Sequence, residues 1–212
     1  MLAQPMRTRI KMCGITSVAD MQLAVSAGAD AIGLVFYPPS PRCVSVEQAA
    51  EILKAMPAFV TSVALFVNPE PAFVQTVIEQ TQVDLLQFHG DESPAFCQQF
   101  DRPYIKAVRM QAETDLQALA TAYASAQGLL VDTYKKGVPG GTGESFNWQW
   151  LPEPETLSLP LILAGGLNPE NVKQAIEIVR PWAVDVSGGI EASPGKKSQQ
   201  KVVEFVKAVN MR

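Results

Sequence analysis

The chain has 212 residues, a formal net charge of −4, 47% apolar residues and 18% charged ones. That balance suits a compact folded body, and an acidic one disfavours nucleic acid and membrane surfaces as partners. No run approaches the roughly 18 apolar residues of a membrane span, and the opening MLAQPMRTRIK lacks the ordered regions of a secretory signal, so a cytoplasmic location is expected.

From the first residues onward, short apolar or β-branched runs alternate with helical patterns. The run Arg9–Cys13 ends at Cys13-Gly14, and Ser17 signals the helix that follows. Ala31–Phe36 comes next, then the stiff loop PPSPR carrying Arg42. Ser45 then announces a helix with the stripe Val46, Ala49, Ala50, Leu53 and Met56. Thr61–Asn68 is followed by Asn68-Pro69, expected to open the third helix. The remaining runs are Leu85–His89, Tyr104–Arg109, Gly128–Thr133, Pro160–Ala164 and Ala183–Ser187. Val172, Ala175, Ile176 and Val179 form a stripe between the last two, and Val202, Val203, Phe205, Val206 and Val209 form a closing helix. Eight runs with no linker and no internal repeat predict one α/β domain over residues 1–212, a single (β/α)8 barrel rather than an open sheet.

Two glycine pairs are the strongest chemical signal. Gly165-Gly166 and Gly188-Gly189 each follow an apolar run, PLILA and AVDVS. Glycine admits φ > 0 and close backbone approach, and clustered N–H groups suit an anion. Loops after strands 7 and 8 of such a barrel are where phosphate commonly binds, so a phosphorylated small molecule is the expected ligand. The connection after the sixth run, YKKGVPGGTGESFNW, has almost no helical pattern. Long loops of this kind are usually functional. Its Gly141 and Gly143 either add N–H donors to the phosphate site or hinge a lid, and Lys135 and Lys136 read as loop charge.

A lone cysteine such as Cys13 is commonly a buried structural thiol, but at a strand end on the face where barrel chemistry occurs, with Gly14 leaving room for a ligand, it is the candidate catalytic base. Strand alternation turns Ile10 and Met12 toward the helices and Lys11 into the barrel below Cys13. Asp185 has the corresponding position on strand 8, the neighbour of strand 1 in a closed barrel. A buried Lys11–Asp185 ion pair is therefore expected, with the ammonium helping Cys13 ionise. Asp132, after four apolar or small residues in LLVDT, either caps a helix or faces the barrel mouth as a general acid opposite Cys13. Arg42 is either a solvated arginine or a bidentate carboxylate partner. His89 either closes the rim or contacts the ligand. Cys43 and Cys97 read as packing residues, and with one histidine no metal site is expected.

In order along the chain stand KMCGIT at 11–16, FYPPSPRCVS at 36–45, QFHGDE at 87–92, LLVDT at 129–133, PGGTGESFNW at 139–148, LAGGLNPENV at 163–172 and VDVSGGIE at 184–191. On these pieces the chain resembles the phosphoribosylanthranilate isomerases of tryptophan biosynthesis. It departs from them at Met12, Asn147 and Gly188, where isoleucine, aspartate and serine are common. The resemblance implies an Amadori rearrangement of N-(5-phosphoribosyl)anthranilate, an aminoaldose becoming an aminoketose. It makes Asp132 the acid on the ribose ring oxygen and Cys13 the base at C2. Arg42 would hold the anthranilate carboxylate, with His89 lining the pocket. Gly165, Gly166, Ser187, Gly188 and Gly189, with Gly141 and Gly143, would hold the phosphate. A protonated imine acidifies the adjacent C–H enough for a modest base, so the chemistry requires no cofactor and no metal. A histidine-pathway isomerase would want an aspartate where Cys13 stands, and an indole-glycerol-phosphate synthase a lysine. A non-catalytic phosphate sensor would need the glycine turns but not the Cys13/Asp132 pair. With every apolar stripe assigned to the barrel, a monomer is expected.

Overall fold

Eight short strands, each built from the apolar runs of the sequence, pair in parallel with their chain neighbours and close into a barrel. The computed structural model describes residues 7–133 and 147–211. The strands are β1 (Arg9–Cys13), β2 (Ala31–Val35), β3 (Thr61–Phe66), β4 (Leu85–Phe88), β5 (Tyr104–Met110), β6 (Leu129–Thr133), β7 (Leu161–Leu163) and β8 (Ala183–Val186). The helices are α1 (Val18–Ala27), α2 (Val46–Lys54), α3 (Pro71–Thr81), α4 (Pro94–Gln98), α5 (Leu116–Ala122), α6 (Val172–Val179) and α7 (Gln199–Asn210). Phe36, His89, Gly128, Pro160, Ala164 and Ser187 lie just outside the strands expected to contain them. At the rim the backbone leaves the ladder to enter loops, so apolar character outlasts strand pairing.

Local signals account for most helix starts. Ser17 accepts from the Asp20 N–H, and Ser45 forms a capping box with Gln48. The third helix is the exception. It starts two residues later than Asn68-Pro69 suggests, with Glu70 as N-cap and Pro71 in the first turn. Asn68 instead takes φ 47° and accepts the Asp91 N–H, tying the β3 loop to the β4 loop. Between β6 and β7 the described residues contain only two 3-10 turns, Trp148–Trp150 and Pro154–Thr156, in keeping with the missing helical pattern there.

Alternation along the strands separates two layers. Ile10, Met12, Ile32, Leu34, Phe66 and Phe88 pack with helix residues such as Met21, Ala49, Val74 and Phe205 in one large core. The alternate residues Ile105, Ala107, Leu130 and Ile162 form a separate cluster that fills the β5–β8 side of the barrel. Across the closing seam Lys11 pairs in register with Asp185, and Lys11 Nζ lies 2.9 Å from Asp185 Oδ1 with both side chains buried. The expected ion pair is present. Burial opposes the Lys11 charge, but Asp185 and the Cys13 sulfur more than restore it, holding the ammonium above its ordinary range. Among the described residues no helix is long and apolar enough to cross a membrane.

Removing one partner strands the other charge in the barrel. Lys11→Met is expected to cost roughly 3–5 kcal/mol in urea unfolding, and Lys11→Met/Asp185→Leu markedly less. A double variant no more stable than the single one would show that the pair is not the coupled unit.

Candidate active site

The C-terminal ends of the strands carry the reactive groups. Cys13 is the last residue of β1 and is buried. Gly33, its register partner on β2, leaves the space it needs, since a methyl there would come within 2.7 Å of Cys13 Sγ and 3.1 Å of Lys11 Nζ. Burial pushes the thiol above its ordinary range. Lys11 and Lys197 pull it down and Asp185 opposes them, without overturning the effect of burial. The Lys11 ammonium favours the Cys13 thiolate, as expected, while burial outweighs it. Cys97 is fully buried on the helix side, with a thiol pushed up to about 12, as suits a packing residue, and Cys43 is only partly buried.

Asp132 faces the barrel mouth rather than capping a helix. Its Oδ1 accepts the Thr133 N–H at 2.7 Å, and its Oδ2 lies 3.2 Å from His89 Nε2. Gln87, two residues before His89 on the same face of β4, sets its amide nitrogen 3.1 Å from His89 Nδ1. A donor at Nδ1 leaves the ring proton on Nε2, toward Asp132. Gln87 Oε1 and His89 Nε2 are both buried without an aligned hydrogen-bond partner among the described residues. Arg109, in register with Asp132 on β5, stands at the rim and pairs with Asp91 at 2.8 Å.

The two glycine turns meet beside Asp132. Gly165 and Gly166 take φ 83° and 66°, as expected of glycines chosen for left-handed backbone. Gly188 and Gly189 do not; they open a 3-10 turn, Gly188–Ile190. Glycine is needed there for space, because a side chain at Gly189 would collide with the Leu167 carbonyl of the neighbouring turn. Asn168 and Asn171 brace that neighbour by accepting N–H groups, and Asn171 also donates to the Gly166 carbonyl at 2.9 Å. The N–H groups of Gly165, Gly166, Gly188 and Gly189 find no backbone acceptor among the described residues. Asp132, Asp185, Ser187 and both turns line a cavity of about 60 Å³, roughly twice the volume a water molecule occupies in the liquid. Ser187 Oγ is buried with no described partner. A larger cavity, about 980 Å³, opens at the opposite end of the barrel around Pro160, Leu161, Pro181 and Trp182, away from Cys13 and Asp132.

Arg42 is neither a solvated arginine nor an open fork. Its Nε and Nη2 donate to the two carboxylate oxygens of Glu191, each at 2.7 Å. Lys197, fully buried, donates to Glu191 Oε1 at 3.0 Å, to the Cys13 carbonyl at 2.6 Å and to the Ser187 carbonyl at 3.2 Å. Burial pushes Glu191 up, but Arg42 and Lys197 hold it below the usual carboxylate range. The sequence reading did not single out Glu191 or Lys197. Glu191 was visible only as the final residue of VDVSGGIE, and nothing marked Lys197 among the neighbouring lysines. Gly141, Gly143, Lys135 and Lys136 lie outside the described residues. Among the described residues there is no cluster of histidine, cysteine or carboxylate suited to a metal ion.

The family model for N-(5'phosphoribosyl)anthranilate (PRA) isomerase matches residues 10–208. An N-(5'-phosphoribosyl)anthranilate isomerase of Alcanivorax borkumensis is 54% identical over 211 residues, 96% of each chain. The crystal structure of phosphoribosyl anthranilate isomerase from Thermotoga maritima superposes with a TM-score of 0.87 at 40% identity, covering 95% of this chain and 98% of that one. A structure of such an isomerase in complex with reduced 1-(o-carboxyphenylamino)-1-deoxyribulose 5-phosphate matches at TM-score 0.80 and 38% identity, with the same coverage.

If burial governs Cys13, its thiolate absorbance near 240 nm, taken as the parent minus Cys13→Ser, should titrate above the ordinary thiol value of about 8.5. A midpoint at or below that value would mean that Lys11 and Lys197 outweigh burial.

Proposed function

The chain belongs to the N-(5'-phosphoribosyl)anthranilate isomerase family, and we propose on that premise that it isomerises N-(5-phosphoribosyl)anthranilate to 1-(2-carboxyphenylamino)-1-deoxyribulose 5-phosphate, an Amadori rearrangement in tryptophan biosynthesis. The observation that carries the assignment of residues is the Asp132 carboxylate lining the same cavity as the two glycine turns, with Cys13 at the end of β1 on the same barrel face.

Asp132 gives a proton to the ribose ring oxygen as the C1–O bond breaks, and the anthranilate nitrogen supplies the electron pair of the new C=N bond. His89 Nε2, 3.2 Å from Asp132 Oδ2, orients that carboxyl group toward the ring oxygen. The cationic imine acidifies the C2–H bond. Cys13 gives its thiol proton to solvent as the cationic imine forms beside it; the resulting thiolate removes the C2 proton, and the electron pair flows toward nitrogen to give the neutral enolamine. Protonation at C1 and loss of the C2 hydroxyl proton yield the ketone. Asp132 takes back the hydroxyl proton, Cys13 gives its proton to C1, and the thiolate regains its first proton from solvent as product leaves, so atoms and charge balance. A thiol raised by burial suits this sequence, because the cationic imine stabilises the thiolate at the step that needs it.

The phosphate is held by the N–H groups of Gly165, Gly166, Gly188 and Gly189 and by the Ser187 hydroxyl. The anthranilate carboxylate goes to Arg42. All these groups come from one chain, so a monomeric barrel suffices as the reacting unit, and a charged sugar phosphate is expected in the cytoplasm.

Fluorescence loss of freshly generated phosphoribosylanthranilate tests the proposal. The parent should turn it over, and Cys13→Ala and Asp132→Ala should each lose at least about 10²-fold in kcat, the usual worth of one positioned acid or base. A parent without turnover that still binds the phosphosugar would sink the substrate assignment. Full activity in either variant would remove that residue from the mechanism.

A further inference from the structure

Between β8 and α7 the chain makes a small antiparallel hairpin, β9 (Glu191–Ser193) and β10 (Lys196–Lys197), that the barrel itself does not require. Its turn is Ser-Pro-Gly-Lys with Gly195 at φ 80°, the glycine placement that a type II turn demands. Two sets of contacts fasten it at the barrel mouth, and its turn lies close to the loop after β2. The Gly195 carbonyl accepts the Thr16 hydroxyl at 2.6 Å, in the loop after Cys13. A side chain at Gly195 would come within 3.0 Å of the Pro41 carbonyl, next to Arg42. At its base Lys197 and Glu191 stand opposite each other in register, joining the Cys13 and Ser187 carbonyls to the Arg42 guanidinium.

The consequence lies in which edge of Arg42 is left. Glu191 takes the Nε/Nη2 edge, and the end-on edge, made of Nη1 and the second Nη2 hydrogen, has the geometry for one more carboxylate. That end of the guanidinium overlooks the turn after β8, since a methyl on Gly188 would come 3.3 Å from Nη2. A methyl on Gly14 would meet Arg42 Cδ at 2.5 Å and Ser187 Oγ at 3.0 Å, so the arginine stem and the unpartnered hydroxyl border one spot. We propose that Glu191 and Lys197, carried by the β9–β10 hairpin, are positioning residues for substrate recognition: they fix the free edge of Arg42 at a set distance from Cys13, so that an aromatic carboxylate is gripped in register with the C–H to be broken. This rests on the assignment of Arg42 to the substrate carboxylate.

The test compares two stable ligands by calorimetry, reduced 1-(o-carboxyphenylamino)-1-deoxyribulose 5-phosphate and its counterpart without the carboxyl group. The parent should prefer the first. In Glu191→Gln that preference should fall by roughly tenfold, the worth of a hydrogen bond to a charged group, while affinity for the second ligand is kept. Glu191→Asp retains the charge but shortens the reach by one methylene, and it should lower the preference in the same direction if Glu191→Gln does not fold. Equal weakening of both ligands would make Glu191 a structural residue and overturn the inference. A parent that binds both ligands equally would instead overturn the assignment of Arg42, and this inference with it.

Discussion

Charge buried at the mouth of a closed barrel has to be balanced locally, and here that balance links nearly every group of the candidate site. Closure sets Lys11 against Asp185 under Cys13. Above them Arg42, Glu191 and Lys197 form a second linked set that grips the Cys13 carbonyl. Together these are three cations to two carboxylates. With Asp132 at the same mouth, these charges border the Cys13 thiol, the remaining edge of Arg42 and the two glycine turns.

Alternation and strand ends made much of this legible beforehand. Lys11 was expected inside and paired to Asp185 because strand periodicity is fixed at two and closure makes β1 and β8 neighbours. For Asp132, a carboxylate after an apolar run, the sequence left a helix cap and the mouth as alternatives, and the structure takes the second. Gly165 and Gly166 met the expectation of left-handed backbone. In each case the inference needed only the period of one strand or the conformational range of one residue type.

What stayed hidden depends on loops meeting in space. The Glu191 grip on Arg42 joins residues 149 apart in the sequence, across two loops whose lengths do not reveal their approach. Gly189 looked like a glycine kept for its backbone freedom, yet it is there to let one turn lie against the carbonyl of another. Asn68 carried the composition of a helix start and was diverted to bind the Asp91 N–H, a long-range contact that overrides the local signal. His89 showed no sign of its neighbour on β6, because only barrel curvature brings β4 side chains to those of β6.

The division of labour follows from the stiffness of the parts. Cys13 and Asp132 sit on strands, where the hydrogen-bonded ladder fixes the backbone and a side chain keeps its place without help. Arg42 sits on a loop, where a long side chain has many rotamers and would lose entropy on every encounter with an anion. Glu191, itself held by Lys197, confines the Arg42 side chain in the folded protein, at the cost of burying two more charges that must be satisfied. A hairpin fastened to the loops of both β1 and β2 is a compact way to meet that demand, because it holds the Arg42 guanidinium and the Cys13 backbone to the same rigid reference.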